Sequence, residues 1–197
     1  MITLQGLRTA ILDQIPPADR FDQEDAEVVR GNRDLLLSWS ERIVQNHYTK
    51  LFAYEPTRKV FREGERERLE VLLTNWWRRI INGPIDDKFW DWMVLVGLVH
   101  IRRRVSNTMM LTSWGNILNF AVLEIQMEVL KGTLEIDEAT HLTTALVKLG
   151  KTFTSLIAES YLHGLAEATG TNFALLENLA AYELDSVIGQ LREELKQ

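Results

Sequence analysis

Apolar positions recur at helical spacing along almost the whole chain. Leu4 to Ile15 reads as a short amphipathic helix that stops at Pro16-Pro17. Asp22 to Arg30 reads as a second short helix, with Gly31-Asn32 as a break or bend. One long helix is predicted from Leu35 to Tyr54, ending before Pro56. Its face carries Leu37, Val44, Tyr48, Leu51 and Phe52. Gly64 marks a loop. Beyond it Leu69, Leu72, Leu73, Trp76 and Ile80 follow an i, i+3, i+4, i+7, i+11 pattern. Asn82-Gly83-Pro84 closes that helix, because glycine suits a left-handed end and proline forbids continuation.

Asp86 is placed to cap the next helix, from Asp87 to about Arg104. Phe89, Met93, Val96 and His100 form one stripe on it, with Gly97 beside them. A helix from about Thr108 to Lys131 turns Met110, Trp114, Ile117, Ala121 and Ile125 inward, and Gly132 ends it. Asp137 is read as the cap of a helix running from Glu138 to about Ala168. Leu142, Leu146, Leu149, Phe153, Leu156 and Ile157 form its inner face, and Gly170 stops it. The last helix, Phe173 to about Leu195, carries Leu176, Leu179, Leu184, Val187 and Leu191 and is read as an extra packed helix. No segment alternates as a strand does. The expected fold class is all-α, with roughly seven or eight helices. Periodicity alone leaves globin-like packing and a plain bundle both open.

The composition is that of an ordinary globular chain: 197 residues, 46% hydrophobic and 25% charged. A net charge of −6 speaks against general nucleic-acid binding, which needs a basic surface. The absence of cysteine excludes disulfides, thiolate zinc sites and iron–sulfur clusters. No apolar run approaches the ~20 residues of a membrane span. Met1-Ile2-Thr3-Leu4-Gln5 lacks the basic and apolar regions of a secretory signal. A cytoplasmic protein without membrane or nucleic-acid partners is expected. Six tryptophans point to a bulky interior.

His100 is the central chemical observation. Its place on the Phe89-Met93-Val96 stripe turns the imidazole inward, where its ring nitrogens need partners. A haem iron is one such partner; ordinary core hydrogen bonds are the other. Tyr48 sits on an apolar face, so its hydroxyl either donates to a bound diatomic ligand or bonds a backbone carbonyl. Leu69, Leu72, Leu73 and Trp76 either wall a slot for a flat macrocycle or form simple core. Within Arg102-Arg103-Arg104, Arg103 and Arg104 lie one turn after His100. They suit either haem propionates or a solvated helix end. His47, His141 and His163 show no metal-ligand grouping, and His47 points about a hundred degrees around the helix from Tyr48. No phosphate loop, Gly-x-Ser-x-Gly or His-Glu-x-x-His is present.

Three blocks together resemble the sensor-globin lineage, meaning the globin domains of globin-coupled sensors and the related protoglobins. The first is Asn46-His47-Tyr48-Thr49-Lys50-Leu51-Phe52. The second runs from Arg66 to Trp77, with the turn Asn82-Gly83-Pro84-Ile85-Asp86 after it. The third is Val96-Gly97-Leu98-Val99-His100-Ile101-Arg102, followed by Met109-Met110-Leu111-Thr112-Ser113-Trp114. The resemblance covers roughly residues 20–168. It implies an N-terminal extension over 1–20, a globin domain over 21–168 and a helical appendage over 169–197. Arg103-Arg104-Val105 stands where sensor globins usually carry glycine, and the longer protoglobin segment after the histidine is missing. The sensor branch is therefore the better fit, either as a single-domain sensor globin or as a piece of a larger sensor.

The resemblance implies haem b (iron protoporphyrin IX), with His100 as proximal ligand and Tyr48 as distal donor. Leu69 and Leu73 would face the bound ligand. Trp76, Met93, Val96, Met110 and Trp114 would complete the pocket, with Arg104 at its edge. The implied function is reversible binding of O2, CO or NO by a gas or redox sensor. The implied partner is a second copy, bound through the two long helices before Gly170. A non-haem globin-fold interaction module is the alternative, and it predicts a filled pocket. NO dioxygenation or peroxide chemistry ranks third, since no reductase segment is present; no enzyme activity is expected.

Overall fold

The computed structural model describes residues 3–194 and is helical almost throughout. The helices are α1 (Leu4–Leu12), α2 (Gln23–Gly31), α3 (Arg33–Ser38), α4 (Ser40–Ala53) and α5 (Glu55–Arg58). They continue as α6 (Arg66–Asn82), α7 (Asp87–Arg103), α8 (Asn107–Lys131), α9 (Ile136–Ala168) and α10 (Phe173–Glu194). A short 3-10 turn, Pro17–Asp19, joins α1 to α2. No strand is found among the described residues. Met1, Ile2 and Leu195, on which parts of the sequence reading fall, lie outside them.

Local chemistry explains most boundaries. Asp22 and Asp25 form a reciprocal capping box at the start of α2. Asp86 caps α7 by accepting from the Phe89 amide at 3.0 Å, and Ser106 caps α8 by accepting from Met109 at 3.2 Å. Gly83 (φ 64°) and Gly132 (φ 72°) end α6 and α8 in conformations that favour glycine.

Three expectations need correction. The predicted Leu35–Tyr54 helix is two helices, interrupted at Trp39. There the Ser38 hydroxyl donates to the Leu35 carbonyl at 2.6 Å and Ser40 to Leu37 at 2.7 Å, competing with the helical ladder. Pro56 does not merely end α4 but sits in the first turn of α5, where its missing N–H costs nothing. Asp137 is not the cap of α9; Glu135 holds that position, and Asp137 lies in the first turn, favourable to the helix dipole.

The core centres on α9, which touches α1, α2, α7 and α8. All six residues predicted on its inner face, Leu142 to Ile157, are buried. The same holds for Met110, Trp114, Ile117, Ala121 and Ile125 of α8. Helix α7 packs closely on α9. A Cβ at Gly97 would overlap the Ser160 hydroxyl and the Ile157 carbonyl oxygen, so only glycine fits. Ser160 donates to the Val94 carbonyl at 3.0 Å across the same contact. Gly150 of α9 likewise leaves room for the indole of Trp114.

The N-terminal segment is built into this core. Leu7 and Ile11 of α1 are buried, and Arg8 lies between Asp87 and Asp91 of α7. The C-terminal helix differs from its expected packed role. Leu176, Leu179, Leu184, Val187 and Leu191 are all exposed, and the ring of Phe173 rests on His163 at 4.0 Å.

Candidate functional site

The helix order leaves a slot between α6 and α7, closed behind by α4, α8 and α9. Its volume is about 490 Å³, within the ~300–1,000 Å³ of small-ligand sites. The lining is mainly apolar. Leu69, Leu72, Leu73 and Trp76 come from α6; Met93, Val96, Val99 and His100 from α7; Met109, Met110, Trp114 and Ile117 from α8. Phe153 and Ile157 of α9 form the floor, and Tyr48 and His47 enter from α4. Trp76, Trp114 and Phe153 meet edge to face at 4.5–5.9 Å and hold the inner wall rigid.

Helix α6 divides its apolar residues between two tasks. Trp77, Ile80 and Ile81 enter the core, and the Trp77 indole donates to the Leu36 carbonyl at 3.0 Å. Leu69, Leu73 and Trp76 turn to the slot and are only half-buried. At the mouth Leu72 (51%), Leu95 (43%), Val99 (43%) and Trp92 (39%) remain exposed. These residues give the opening of the slot an apolar rim.

His100 projects into this slot from the last turn of α7. Its Nδ1 is fully buried and has no hydrogen-bond partner among the described residues. Burial, and then the charge of Arg103, push its pKa below the ordinary imidazole value, so the ring is held neutral. A neutral imidazole with an unpaired nitrogen is a potential metal ligand. No cluster of three or more His, Asp or Glu able to hold a metal is found among the described residues.

Tyr48 is buried, and its hydroxyl donates to the Leu69 carbonyl at 2.9 Å. Burial, with Glu70 nearby, drives its pKa up, so it stays a neutral donor. Its ring stands edge-on to His47 at 4.9 Å. His47 itself is 8% exposed, and burial, with the charge of Lys50, lowers its pKa to about 4.

Every apolar residue expected in the pocket therefore lines one slot with His100 and Tyr48. Arg104 does not. Helix α7 ends at Arg103, and Arg104 takes the left-handed conformation (φ 58°) with its side chain exposed. Arg103 lines the slot, as does Arg68, and forms two 2.7 Å bonds to Glu65 at the start of α6. The Arg103 guanidinium holds the Glu65 carboxyl at about 2, well below its ordinary range. Arg103, Arg68 and His47 are among the polar lining residues that periodicity did not place there. Arg103 was weighed beside Arg104 and separable from it only by where the helix ends.

His141 is exposed, and His163 lies at the α9–α10 junction. A second, polar groove of about 510 Å³ runs between α3, α4 and α6, lined by residues such as Ser40, Glu41, Glu67 and Asn75. It holds no histidine. No helix among the described residues is long and apolar enough to cross a membrane.

The family model described as Protoglobin matches residues 17–167. The chain belongs to the protoglobin family. The match begins before α2 and ends at the last turn of α9, and it includes every residue that lines the slot. Among solved structures, this protoglobin is similar to the globin domain of a Geobacter sulfurreducens globin-coupled sensor, with a TM-score of 0.65. The two are 18% identical, over 82% of this chain and 99% of that one, a likeness that shows the globin fold. Comparison with curated protein sequences gives no match.

Proposed function

We propose that this protoglobin holds haem b in the slot between α6 and α7 and binds a diatomic gas (O2, CO or NO) there as a sensor. One observation carries the reading: His100, whose buried Nδ1 has no hydrogen-bond partner among the described residues, lines an apolar slot of ligand size that opens to solvent. The residues fit the group. His100 supplies the protein ligand to iron, and the leucine and tryptophan walls accept a flat apolar ring. When bound, haem b supplies the iron at which a diatomic gas coordinates.

The chain's own residues then set the outcome. The Leu69-Leu73-Trp76 face excludes water, which protects a ferrous centre. Tyr48 offers a neutral hydroxyl donor to a partly negative ligand atom, in exchange for its bond to Leu69. Displacement of His100 moves α7, and α7 is locked to α9 through Gly97 and Ser160. Signal transfer along α8 and α9 to a second copy follows from that contact. Leu123, Met127 and Leu130 of α8 and Leu162 and Leu165 of α9 are exposed and available to a homodimer. The role is binding and sensing in the cytoplasm rather than catalysis.

The test is to load the protein with haemin, reduce it and add CO. A saturable change in the visible spectrum, one CO per chain, is expected. A loaded, reduced protein whose spectrum ignores CO would refute gas binding.

A further inference from the structure

The two helices that wall the slot are joined at both ends, by different means. At one end the short connection from Gly83 to Asp86 links α6 to α7. At the other, the Arg103 guanidinium donates two 2.7 Å bonds to the Glu65 carboxylate. Between these points the slot separates the helices, and its apolar rim lies open. Each wall is fixed to a different part of the molecule. Helix α6 is tied to α4, by the Tyr48 hydroxyl on the Leu69 carbonyl at 2.9 Å and by Arg66 on the Thr49 hydroxyl at 3.3 Å. Helix α7 packs on α1 and α9. We infer that Arg103 and Glu65 form a clasp across the far end of the slot, which must part for a porphyrin-sized ligand to enter or leave. The inference rests on the haem reading above.

The pair has the chemistry of a clasp. Arginine meets the carboxylate through two parallel, charge-assisted hydrogen bonds. The Glu65 side chain is 9% exposed and that of Arg103 29%, so the pair is screened less than one on the open surface. A rigid disc that fills a slot of about 490 Å³ needs the walls to spread as it passes. The connection at Gly83 is covalent and cannot lengthen; the ion pair can. Arg103 stands one turn after His100, so parting the clasp also carries the imidazole away from α6. Glu65 lies outside the lining. It is a positioning residue, which acts on the ligand through Arg103.

The experiment loads the full chain with zinc protoporphyrin, which needs no gas, and follows its fluorescence as excess apomyoglobin draws it out. One arm opens the clasp. Glu65→Gln is expected to release the porphyrin about tenfold faster than wild type. Adding Arg103→Gln to Glu65→Gln should change the rate little further, because the same bonds are already lost. Arg42→Gln, which breaks the exposed Arg42–Glu124 pair between α4 and α8, should leave the rate unchanged. The other arm shuts the clasp. The chain has no cysteine, so Glu65→Cys with Arg103→Cys supplies its sole pair of thiols. Bridging them with a short bismaleimide after loading should slow release about tenfold or more against the same variant unbridged. If zinc protoporphyrin fails to bind wild type, the haem reading falls and this inference with it. If it binds but release ignores both Glu65→Gln and the bridge, the inference alone falls. It falls equally if Arg42→Gln speeds release as much as Glu65→Gln does.

Discussion

Gly97→Ala probes the contact that couples the His100 helix to the core. The added methyl would overlap the Ser160 hydroxyl and the Ile157 carbonyl oxygen, and would lie 3.2 Å from the Ile157 carbonyl carbon. The hydroxyl can rotate away; the carbonyl cannot, because it belongs to α9. Overpacking of this kind costs about 1–3 kcal/mol. Losing the 3.0 Å bond from Ser160 to Val94 adds about 1 kcal/mol. Alanine offsets about 0.5–1 kcal/mol of this through its better helix propensity. The net loss is about 1–3 kcal/mol, so a melt followed by circular dichroism should fall by about 4–8 °C at mid-range. Gly115→Ala is the control. Gly115 is exposed on α8 with nothing near its absent Cβ, so alanine there should raise the melting temperature slightly. The reasoning is refuted if Gly97→Ala melts at or above the wild-type temperature, or if both substitutions lower it equally.

Trp77→Ala removes an indole that is 1% exposed and leaves the Leu36 carbonyl without its donor, so urea unfolding should show a loss of about 3–5 kcal/mol. Glu65 is held at about 2 against an ordinary 4.5. The stability it contributes is complete above pH 4.5 and is lost as pH falls toward 2, and Glu65→Gln should flatten the stability profile in that window alone. His47 is held at about 4 against 6.5. The unfolded chain therefore takes up its proton first, and stability declines as pH drops from 6.5 to 4. A His47→Phe profile with the same slope as wild type there would contradict the assignment.

Much of this was legible in the residues, for identifiable reasons. The inner faces of α8 and α9 follow a strict helical period over long stretches, so core residues such as Trp114 and Leu149 could be named directly. Asp86 and Gly132 announced helix ends through their own cap chemistry. The break at Trp39 was hidden, because it depends on two serine hydroxyls turning back on the chain. Periodicity alone left the division of labour on α6 open. Leu72 and Trp76 obey the same period as core residues, and only the placement of α7 shows that they face a slot. Arg103 and Arg104 are adjacent and alike in sequence; the left-handed end of α7 puts one in the lining and the other in solvent. The exposure of α10 could not be read from its leucines, which suit a packed helix equally well.

The central claim is that the imidazole of His100 receives an iron porphyrin. Stepwise addition of haemin to the purified protein, read by absorption near 400 nm and by quenching of the slot tryptophans Trp76, Trp92 and Trp114, tests it most directly. The account predicts a sharp break at one haemin per chain, with His100→Ala shifting the absorption band and weakening uptake. Featureless, non-saturating absorption, identical in wild type and His100→Ala, would contradict it.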